Sequence, residues 1–451
     1  MDSLQLQTGR PLNSVKLQKG LEKIVDKYRA EGYSLMRIKE INWEEKSGVL
    51  TVTLDEGAVS DIQISGNDKT KDYVIRREFS GQKNKLFNWR DIRRAVNNVY
   101  SSQLYERVSA DVVNNDNANV LKIKVKEKPS VILRVGGKYD TDRHSQLYLE
   151  YGDESFLGTG IKTIVLLRGG TRETYLGLKV RDDRIFTTYL TFNVQAYFQR
   201  QINPFLDVNG NDGLYKEERR GIKLQAGQQM KRLGQVIFEL RQENIRDRQV
   251  EGTFNFSQTN DLRTFAVRAL TDKRDVIDFP TKGIYNHWAW ETGNRLVLGI
   301  EDSYTKAQVN IEGYFTFEER HTWHLKVFAG IGDKSMPFSE HFRLGGLHNF
   351  YGLNENEYFG RQMVLGSAAY RFKVPWKINQ KNYLIKNTYL SLRYDFAGLW
   401  KDPELVFSSD DFFSGFGGYL GLQTSLGPLY AAYGRTDRGD SRFYFSLGLS
   451  F

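Results

Sequence analysis

Two patterns of apolar and polar residues divide the chain near residue 130. Between about Asn13 and Pro129, some segments repeat apolar residues at helical spacing, as Leu21, Ile24 and Tyr28 do, and others alternate. Beyond this point helical periodicity almost disappears, and successive segments alternate apolar with polar residues. The pattern therefore predicts an α+β region of about 130 residues followed by a long all-β region.

The alternating segments are unusually long. In the clearest of them Phe192, Val194 and Ala196 share one face, while Asn193 and Gln195 lie on the other. Strands in soluble proteins usually have about 5 to 6 residues, whereas many here have roughly the 9 to 11 that a tilted strand needs to cross a bilayer. Sixteen such strands are predicted, at about 131–139, 145–152, 160–169, 173–181, 186–199, 214–229, 233–245, 259–271, 283–293, 303–316, 320–331, 361–373, 387–397, 415–424, 427–435 and 441–451. An even number suits a closed transmembrane antiparallel β-barrel.

The α+β region resembles a known periplasmic module. Its later part has the order β-α-α-β-β and contains ISGN at 64–67, IRRE at 75–78 and LKIKVKE at 121–127. This part resembles a POTRA domain, the periplasmic module of outer-membrane insertases and translocases. The predicted domains are a partial POTRA-like domain at 1–57, a POTRA domain at 58–129 and the transmembrane β-barrel at 130–451.

The last strand strengthens this resemblance. Its alternating residues resemble the β-signal by which outer-membrane barrels are recognised for assembly; the residues concerned are Phe443, Phe445, Leu447, Gly448 and Phe451. Two turns, FLGTG at 156–160 and DKRD at 272–275 with FPTKG at 279–283, are similar to motifs of the same superfamily. The chain thus resembles the BamA/TamA-like POTRA-barrel superfamily.

The connection at about 332–360 carries the most functional-looking motif. Its sequence RLGGLHNFYGL at 343–353 resembles the inward-folded sixth loop of the superfamily, whose V/I-R-G-F/Y motif has its arginine replaced here by tyrosine. The predicted inward-loop residues are Gly345, Gly346, Phe350, Tyr351, Gly352 and Leu353. The G-G-x-x-N-x-x-G form of this loop is closest to the barrel half of patatin-type outer-membrane proteins.

The resemblance also implies an acidic partner for this loop on the inner barrel wall. The matching segment is RYDFAG at 393–398, and alternation places Arg393 and Asp395 inside the barrel. Since the loop arginine is absent, we expect either that Arg393 pairs with Asp395 and Tyr351 hydrogen-bonds to the pair, or that both charges are solvated without a loop partner.

Composition excludes several other classes of protein. The mean hydropathy of −0.53 rules out membrane-spanning helices but suits strands that face lipid on one side only. The chain has no cysteine, and therefore no disulfide, cysteine-bound metal or thiol nucleophile. Its net charge of +9 is spread along the chain, which argues against nucleic acid as a partner. The first residues lack a signal peptide, so we expect either that the protein is not exported or that its native start has been removed.

No catalytic constellation is visible. There is no G-x-S-x-G nucleophile elbow, zinc-protease helix, Walker motif or dinucleotide fingerprint. His321 and His324, three residues apart on a strand, point to opposite faces and cannot share a metal. The sequence therefore predicts no enzyme activity, no catalytic or metal site and no cofactor.

The leading hypothesis is an outer-membrane protein, with its POTRA region in the periplasm, that assists insertion or translocation of polypeptides. Its expected partners are client polypeptides and outer-membrane lipid, with accessory assembly proteins and a second copy of the chain as further candidates. Two alternatives remain: the membrane anchor and secretion pore of a patatin-type phospholipase whose hydrolase domain is absent here, and a passive porin or structural barrel.

Overall fold

The chain forms two compact units. The computed structural model describes residues 12–115, 118–184, 188, 190–206, 212–230, 234–252, 256–293, 303–375, 384–401 and 411–449. One unit extends to Val131 and includes Asp153–Ile161, and the other consists of Ile132–Gly152 and Lys162–Phe451.

The described residues of the first unit form three α-helices and five strands. They are α1 (Ser14–Ala30), β1 (Arg37–Glu44), β2 (Val49–Asp55), β3 (Val59–Ser65), α2 (Asp72–Arg76), α3 (Trp89–Ser101), β4 (Tyr105–Asn115) and β5 (Ala118–Glu127). Strands β1 and β2 form a two-stranded antiparallel sheet. Strand β5 lies between β3, to which it is parallel, and β4, to which it is antiparallel. The predicted order β-α-α-β-β is therefore correct for β3 to β5.

Helix α3 supplies much of the core of this three-stranded sheet. Asn88 caps its first turn by accepting a hydrogen bond from the backbone N–H of Arg90. Its buried face, including Ile92 and Val99, packs against Leu121 and Ile123. Helix α2 is short, because it ends at Arg76 and continues as the tighter 3-10 turn Arg77–Phe79. None of the described helices is long and apolar enough to cross a membrane.

The second unit is a closed barrel of sixteen strands. Its strands are β6 (Val131–Asp140), β7 (His144–Asp153), β8 (Lys162–Gly170), β9 (Glu173–Asp182), β10 (Leu190–Leu206), β11 (Asp212–Met230), β12 (Gly234–Gly252), β13 (Ser257–Asp272), β14 (Gly283–Gly293), β15 (Tyr304–Phe317), β16 (His321–Gly332), β19 (Gln362–Lys373), β20 (Ile385–Trp400), β21 (Phe412–Thr424), β22 (Gly427–Thr436) and β23 (Ser441–Gly448). The short strands β17 (Phe342–Leu344) and β18 (Tyr358–Gly360) form a separate hairpin inside one connection. The bilayer favours a closed sheet, because an open edge would leave backbone N–H and C=O groups without hydrogen-bond partners in hydrocarbon, where this is costly.

Alternation along each strand separates lipid from lumen. On β20, Leu390, Leu392 and Tyr394 are 50%, 71% and 53% exposed, whereas Ser391 and Asp395 are buried inside. The low mean hydropathy of the chain therefore comes from the polar inner face of the barrel and from the first unit.

The sequence prediction is wrong at the ends of several strands. Strand β12 continues to Gly252 rather than ending near 245, and β10 continues to Leu206 rather than 199. The apolar alternation stops earlier, at residues such as Arg246 and Asp247, but ladder hydrogen bonding to the neighbouring strand does not depend on hydrophobicity. The predicted start of β10 at 186 lies outside the described residues.

Candidate functional site

The connection from β16 to β19 folds into the barrel, and most of its centre is shielded from water. Leu344, Phe350, Tyr351 and Leu353 are each no more than 2% exposed. The glycines at 345, 346 and 352 have φ values of 120°, 100° and 94°, which side chains rarely permit. The sequence-predicted loop residues thus lie together in the lumen, and we name residues 345–353 the loop tip.

The loop tip is held by a buried ion pair on β20. The Nε of Arg393 donates to Oδ1 of Asp395 at 2.7 Å and to Oγ of Ser367 at 3.0 Å. Arg393 also donates to the backbone carbonyls of Leu347, at 3.1 Å, and Asn349. Asp395 is 0% exposed. An ion pair of this kind is costly to disrupt, because removing one partner leaves the other charge buried.

Tyr351 hydrogen-bonds to this pair, as one of the two expected arrangements requires, and the bond to Asp395 comes from its backbone. Its backbone N–H donates to Oδ2 of Asp395 at 3.0 Å, while the guanidinium of Arg393 lies 4.7 Å from the centre of its ring. The ring also stacks on Tyr444, with centroids 5.8 Å apart. Of the two arrangements left open by the sequence, the structure contains the paired one, with the aromatic ring in a cation–π contact.

Glycines on nearby strands of the barrel wall leave space for the loop tip. A Cβ atom at Gly434 on β22 would lie 2.7 Å from the Cβ of Tyr351 and 2.7 Å from the backbone nitrogen of Gly352. The N–H of Gly352 donates to the hydroxyl of Tyr444 at 2.8 Å, and that hydroxyl donates to the carbonyl of Leu353 at 2.7 Å. The loop tip therefore depends on close backbone approach as well as on charge.

We expect Gly434→Ala to weaken packing of the loop tip by about 1–3 kcal/mol, because the added methyl group overlaps the loop backbone. Gly366→Ala on β19 is the matched control, since nothing lies within 4 Å of its added Cβ. Urea unfolding in detergent micelles measures both variants. Equal unfolding midpoints for the two would contradict close packing at Gly434.

The root of the loop has a second anchor that the sequence did not reveal. Glu340 is 6% exposed and forms salt bridges with Arg219 at 3.0 Å, with Arg241 at 3.1 Å and with Lys306. These cations belong to β11, β12 and β15. Alternation could have placed the three cations in the lumen, but no local pattern distinguishes Glu340 from the other acidic residues of a polar loop.

A third contact ties the loop to the turn after β6. Arg143 donates to Glu355 at 2.8 Å, and the backbone N–H of Glu355 donates to Asp142 at 3.1 Å. Asp142 also accepts from Arg442, at the start of β23, at 2.8 Å. The loop is therefore connected to both strands that close the barrel.

The contact between these two strands is short. The described pairs between β23 and β6 are Ser446 with Asp140, Leu447 with Tyr139 and Gly448 with Lys138. By contrast, seven pairs join β22 to β23. Gly448 has a φ of 126°, and a Cβ there would lie 2.1 Å from the carbonyl oxygen of Gly137. Two further backbone hydrogen bonds flank the three pairs, from the N–H of Thr141 to the carbonyl of Phe445 at 3.0 Å and from the N–H of Leu449 to the carbonyl of Gly137 at 3.1 Å. We call this contact the seam.

The β-signal residues predicted from the sequence lie at the seam only in part. Phe443 and Phe445 are exposed on the lipid face of β23. Phe445, Leu447 and Gly448 take part in the seam, whereas Phe443 does not pair with β6 in the described residues. The ring of Phe445 lies 6.1 Å from that of Tyr139 on β6. Phe451 lies outside the described residues.

A sixteen-stranded closed barrel with a loop anchored in its lumen, preceded by an α+β domain, defines an outer-membrane β-barrel protein of the POTRA-barrel class. The chain belongs to the Omp85 superfamily, since the model of the Omp85 superfamily domain matches residues 155–451, more than half of the chain. The POTRA model, described as a surface antigen variable number repeat, matches residues 58–128. The protein is therefore a BamA-like outer-membrane protein with a periplasmic POTRA region. Members of this family are assembly or transport factors rather than enzymes.

Individual relatives agree with this assignment. The outer membrane protein assembly factor BamA of Nitratidesulfovibrio vulgaris is 22% identical over 426 residues, which cover 87% of this chain and 51% of the relative. BamA of Neorickettsia risticii is 24% identical over 173 residues, 37% of this chain and 23% of the relative. The chain thus spans about half, or less, of the length of these curated relatives.

Solved structures show the same fold. The structure of BamA from Haemophilus ducreyi lacking POTRA domains 1–3 has a TM-score of 0.74 at 16% identity, covering 99% of this chain and 96% of that one. CdiB from Escherichia coli has a TM-score of 0.59 at 15% identity, covering 98% and 85%.

Proposed function

We propose that this protein assists the insertion of polypeptides into the outer membrane by opening its barrel at the seam between β6 and β23. The proposal rests on the short described contact between these strands, which consists of three residue pairs with one further backbone hydrogen bond at each end. Each backbone group that loses its partner in hydrocarbon costs several kcal/mol, so this contact costs less to open than the seven-pair contact between β22 and β23. The named assembly role of the BamA relatives supports the same function.

An opened seam favours strand addition. Unpaired N–H and C=O groups of β6 would be exposed to hydrocarbon, where each is expensive. A client strand that pairs with the edge of β6 removes this cost and is held by main-chain hydrogen bonds, which tolerate many sequences. Client polypeptides are therefore the proposed partners, with accessory assembly proteins as further candidates.

The POTRA domain offers two outer strands for delivering a client, β3 and β4. They differ in availability. The start of β3 is already covered, because Val59 donates to the carbonyl of Lys85 at 2.9 Å and accepts from the N–H of Asn84 at 2.8 Å. Strand β4 pairs with β5 on one side, and we propose its other edge as the docking edge for an extended client segment.

A disulfide across the seam tests the insertase proposal, and the absence of cysteine from the chain makes the experiment specific. Tyr139 and Leu447 are paired across the seam, and the double variant Tyr139→Cys with Leu447→Cys can lock it. We expect the oxidised variant to lose acceleration of the folding of an unfolded outer-membrane barrel into liposomes, and reduction to restore it.

The matched control is Tyr433→Cys with Phe443→Cys, a pair between β22 and β23 on the same outer face. Its oxidation should leave acceleration unchanged. Retained acceleration with the seam locked would reject opening at this position.

The same preparation separates the alternatives raised by the sequence. A passive porin would show steady conductance and no acceleration of folding. The patatin-type anchor has only the form of the loop motif in its favour, since the relatives named above are BamA and CdiB.

A further inference from the structure

The turn between β13 and β14 inserts one of its two parts into the barrel: Phe279 and Pro280 are buried, whereas Asp275, Val276 and Ile277 are exposed. Phe279, in the middle of this turn, is only 2% exposed and has a φ of 53°, which is uncommon for a residue other than glycine. A strained backbone that buries an aromatic ring in a turn requires strong support from its surroundings.

That support comes from strands on another part of the wall. The ring of Phe279 stacks on Tyr389 of β20, with centroids 4.6 Å apart, and lies 4.9 Å from Tyr430 of β22. Arg371 of β19 donates a hydrogen bond to the carbonyl of Pro280. A Cβ at Gly421 on β21 would lie 2.7 Å from the ring of Phe279.

These contacts place the turn across the lumen. In the barrel order β15, β16 and β19 separate β14 from β20, and β22 lies two strands further. Since Tyr389 is buried between the lipid-facing positions of β20, the ring of Phe279 reaches it through the lumen.

The turn is also internally braced. Asp275 accepts hydrogen bonds from the N–H of Thr281 at 2.9 Å, from its hydroxyl at 2.5 Å and from the N–H of Lys282 at 3.3 Å. The hydroxyl of Thr316 on β15 donates to the carbonyl of Thr281 at 2.5 Å. The turn is thus held as a defined structure and not as a loose connection.

The turn and the inward loop enter from opposite ends of the barrel. Because antiparallel strands alternate in direction from β6 onward, the turn after β13 lies at the end where β6 begins, and the loop after β16 lies at the other. Both contact one residue: Tyr430 is packed against Phe279 and also against His348 of the loop tip, at 5.5 Å. The three rings therefore form a continuous series of contacts inside the lumen.

We infer that the turn at 273–282 is a second closure of the lumen, at its periplasmic end, and that Phe279 is the positioning residue that holds it shut. The inward loop closes the lumen from the other end. Ser391 lies on β20 between Tyr389, which meets the turn, and Arg393, which anchors the loop tip, and it is 5% exposed. A group at 391 is therefore enclosed between the two closures. This inference concerns access to the lumen and does not depend on insertase activity.

Thiol labelling tests the inference on the full-length chain in proteoliposomes. Ser391→Cys supplies the only cysteine, and a membrane-impermeant sulfonated maleimide is added from the periplasmic face. We expect slow labelling of this variant, and labelling at least about tenfold faster when Phe279→Ala is added, because two aromatic contacts of the turn are lost together. The labelling rate of a freely accessible thiol is given by Ile277→Cys, because position 277 is 81% exposed.

Val276→Ala is the matched control within the turn, since Val276 is 47% exposed and its side chain can be shortened without disturbing the stack. It should leave labelling at 391 slow. If Phe279→Ala fails to fold, Asp275→Ala replaces it, because Asp275 is exposed and braces the turn internally; it should also accelerate labelling. The inference would be overturned if neither Phe279→Ala nor Asp275→Ala accelerated labelling, or if Ser391→Cys were labelled as fast as Ile277→Cys.

Discussion

Asp395→Asn is expected to lower the free energy of unfolding of the barrel by about 3–5 kcal/mol, because it leaves the buried guanidinium of Arg393 without its counter-charge. The carboxylate is fully buried and accepts from both Arg393 and the backbone of Tyr351. Asparagine keeps the shape but removes the charge. Urea unfolding in micelles gives the stability, and trypsin digestion at Arg343 and Arg361 reports release of the loop.

Asp272→Asn is the control for this change. Asp272 pairs with Arg274 at 2.7 Å, but its side chain is 38% exposed, and exposed ion pairs contribute about 0–1 kcal/mol. A cost at Asp395 no greater than that at Asp272 would show that the ion pair does not anchor the loop tip.

Glu340→Gln is expected to loosen the other end of the loop at a smaller cost. Glu340 lies among Arg219, Arg241 and Lys306. Each of these cations also contacts Glu217, Glu243 or Glu291, so neutralising Glu340 weakens the hydrogen bonds at the loop root without leaving a cation unpaired, at a cost of about 1–3 kcal/mol. The same unfolding measurement applies, and the new tryptic cleavage should occur first near the loop root, after Lys334 or Arg343.

The order of cleavage separates the two anchors. Glu218→Gln is the control for the root, because Glu218 pairs with Lys216 at 3.2 Å on the same strand as Arg219 and both side chains are more exposed. If Glu340→Gln leaves stability and cleavage at the level of Glu218→Gln, the root anchor has no energetic role.

The sequence determined the architecture because lipid and water on opposite faces of a strand impose a period of two. The alternation at 387–397 predicted both the strand β20 and the inward direction of Asp395. It did not predict where β12 ends, since Arg246 and Asp247 continue the ladder after the apolar face has stopped.

The contacts within the candidate site could not be predicted from local sequence, because they form only when the barrel closes. The local sequence identified Tyr351 and Asp395 as candidates, but the bond between the tyrosine backbone and the carboxylate follows from loop geometry. The partners of Glu340 lie on three strands far apart in sequence, and Phe279 meets Tyr389 across the lumen. The sequence alone therefore determined which residues face lipid and which face the lumen, because that depends on local periodicity. Only the tertiary structure decided which lumen residues meet, because register and closure bring distant strands together.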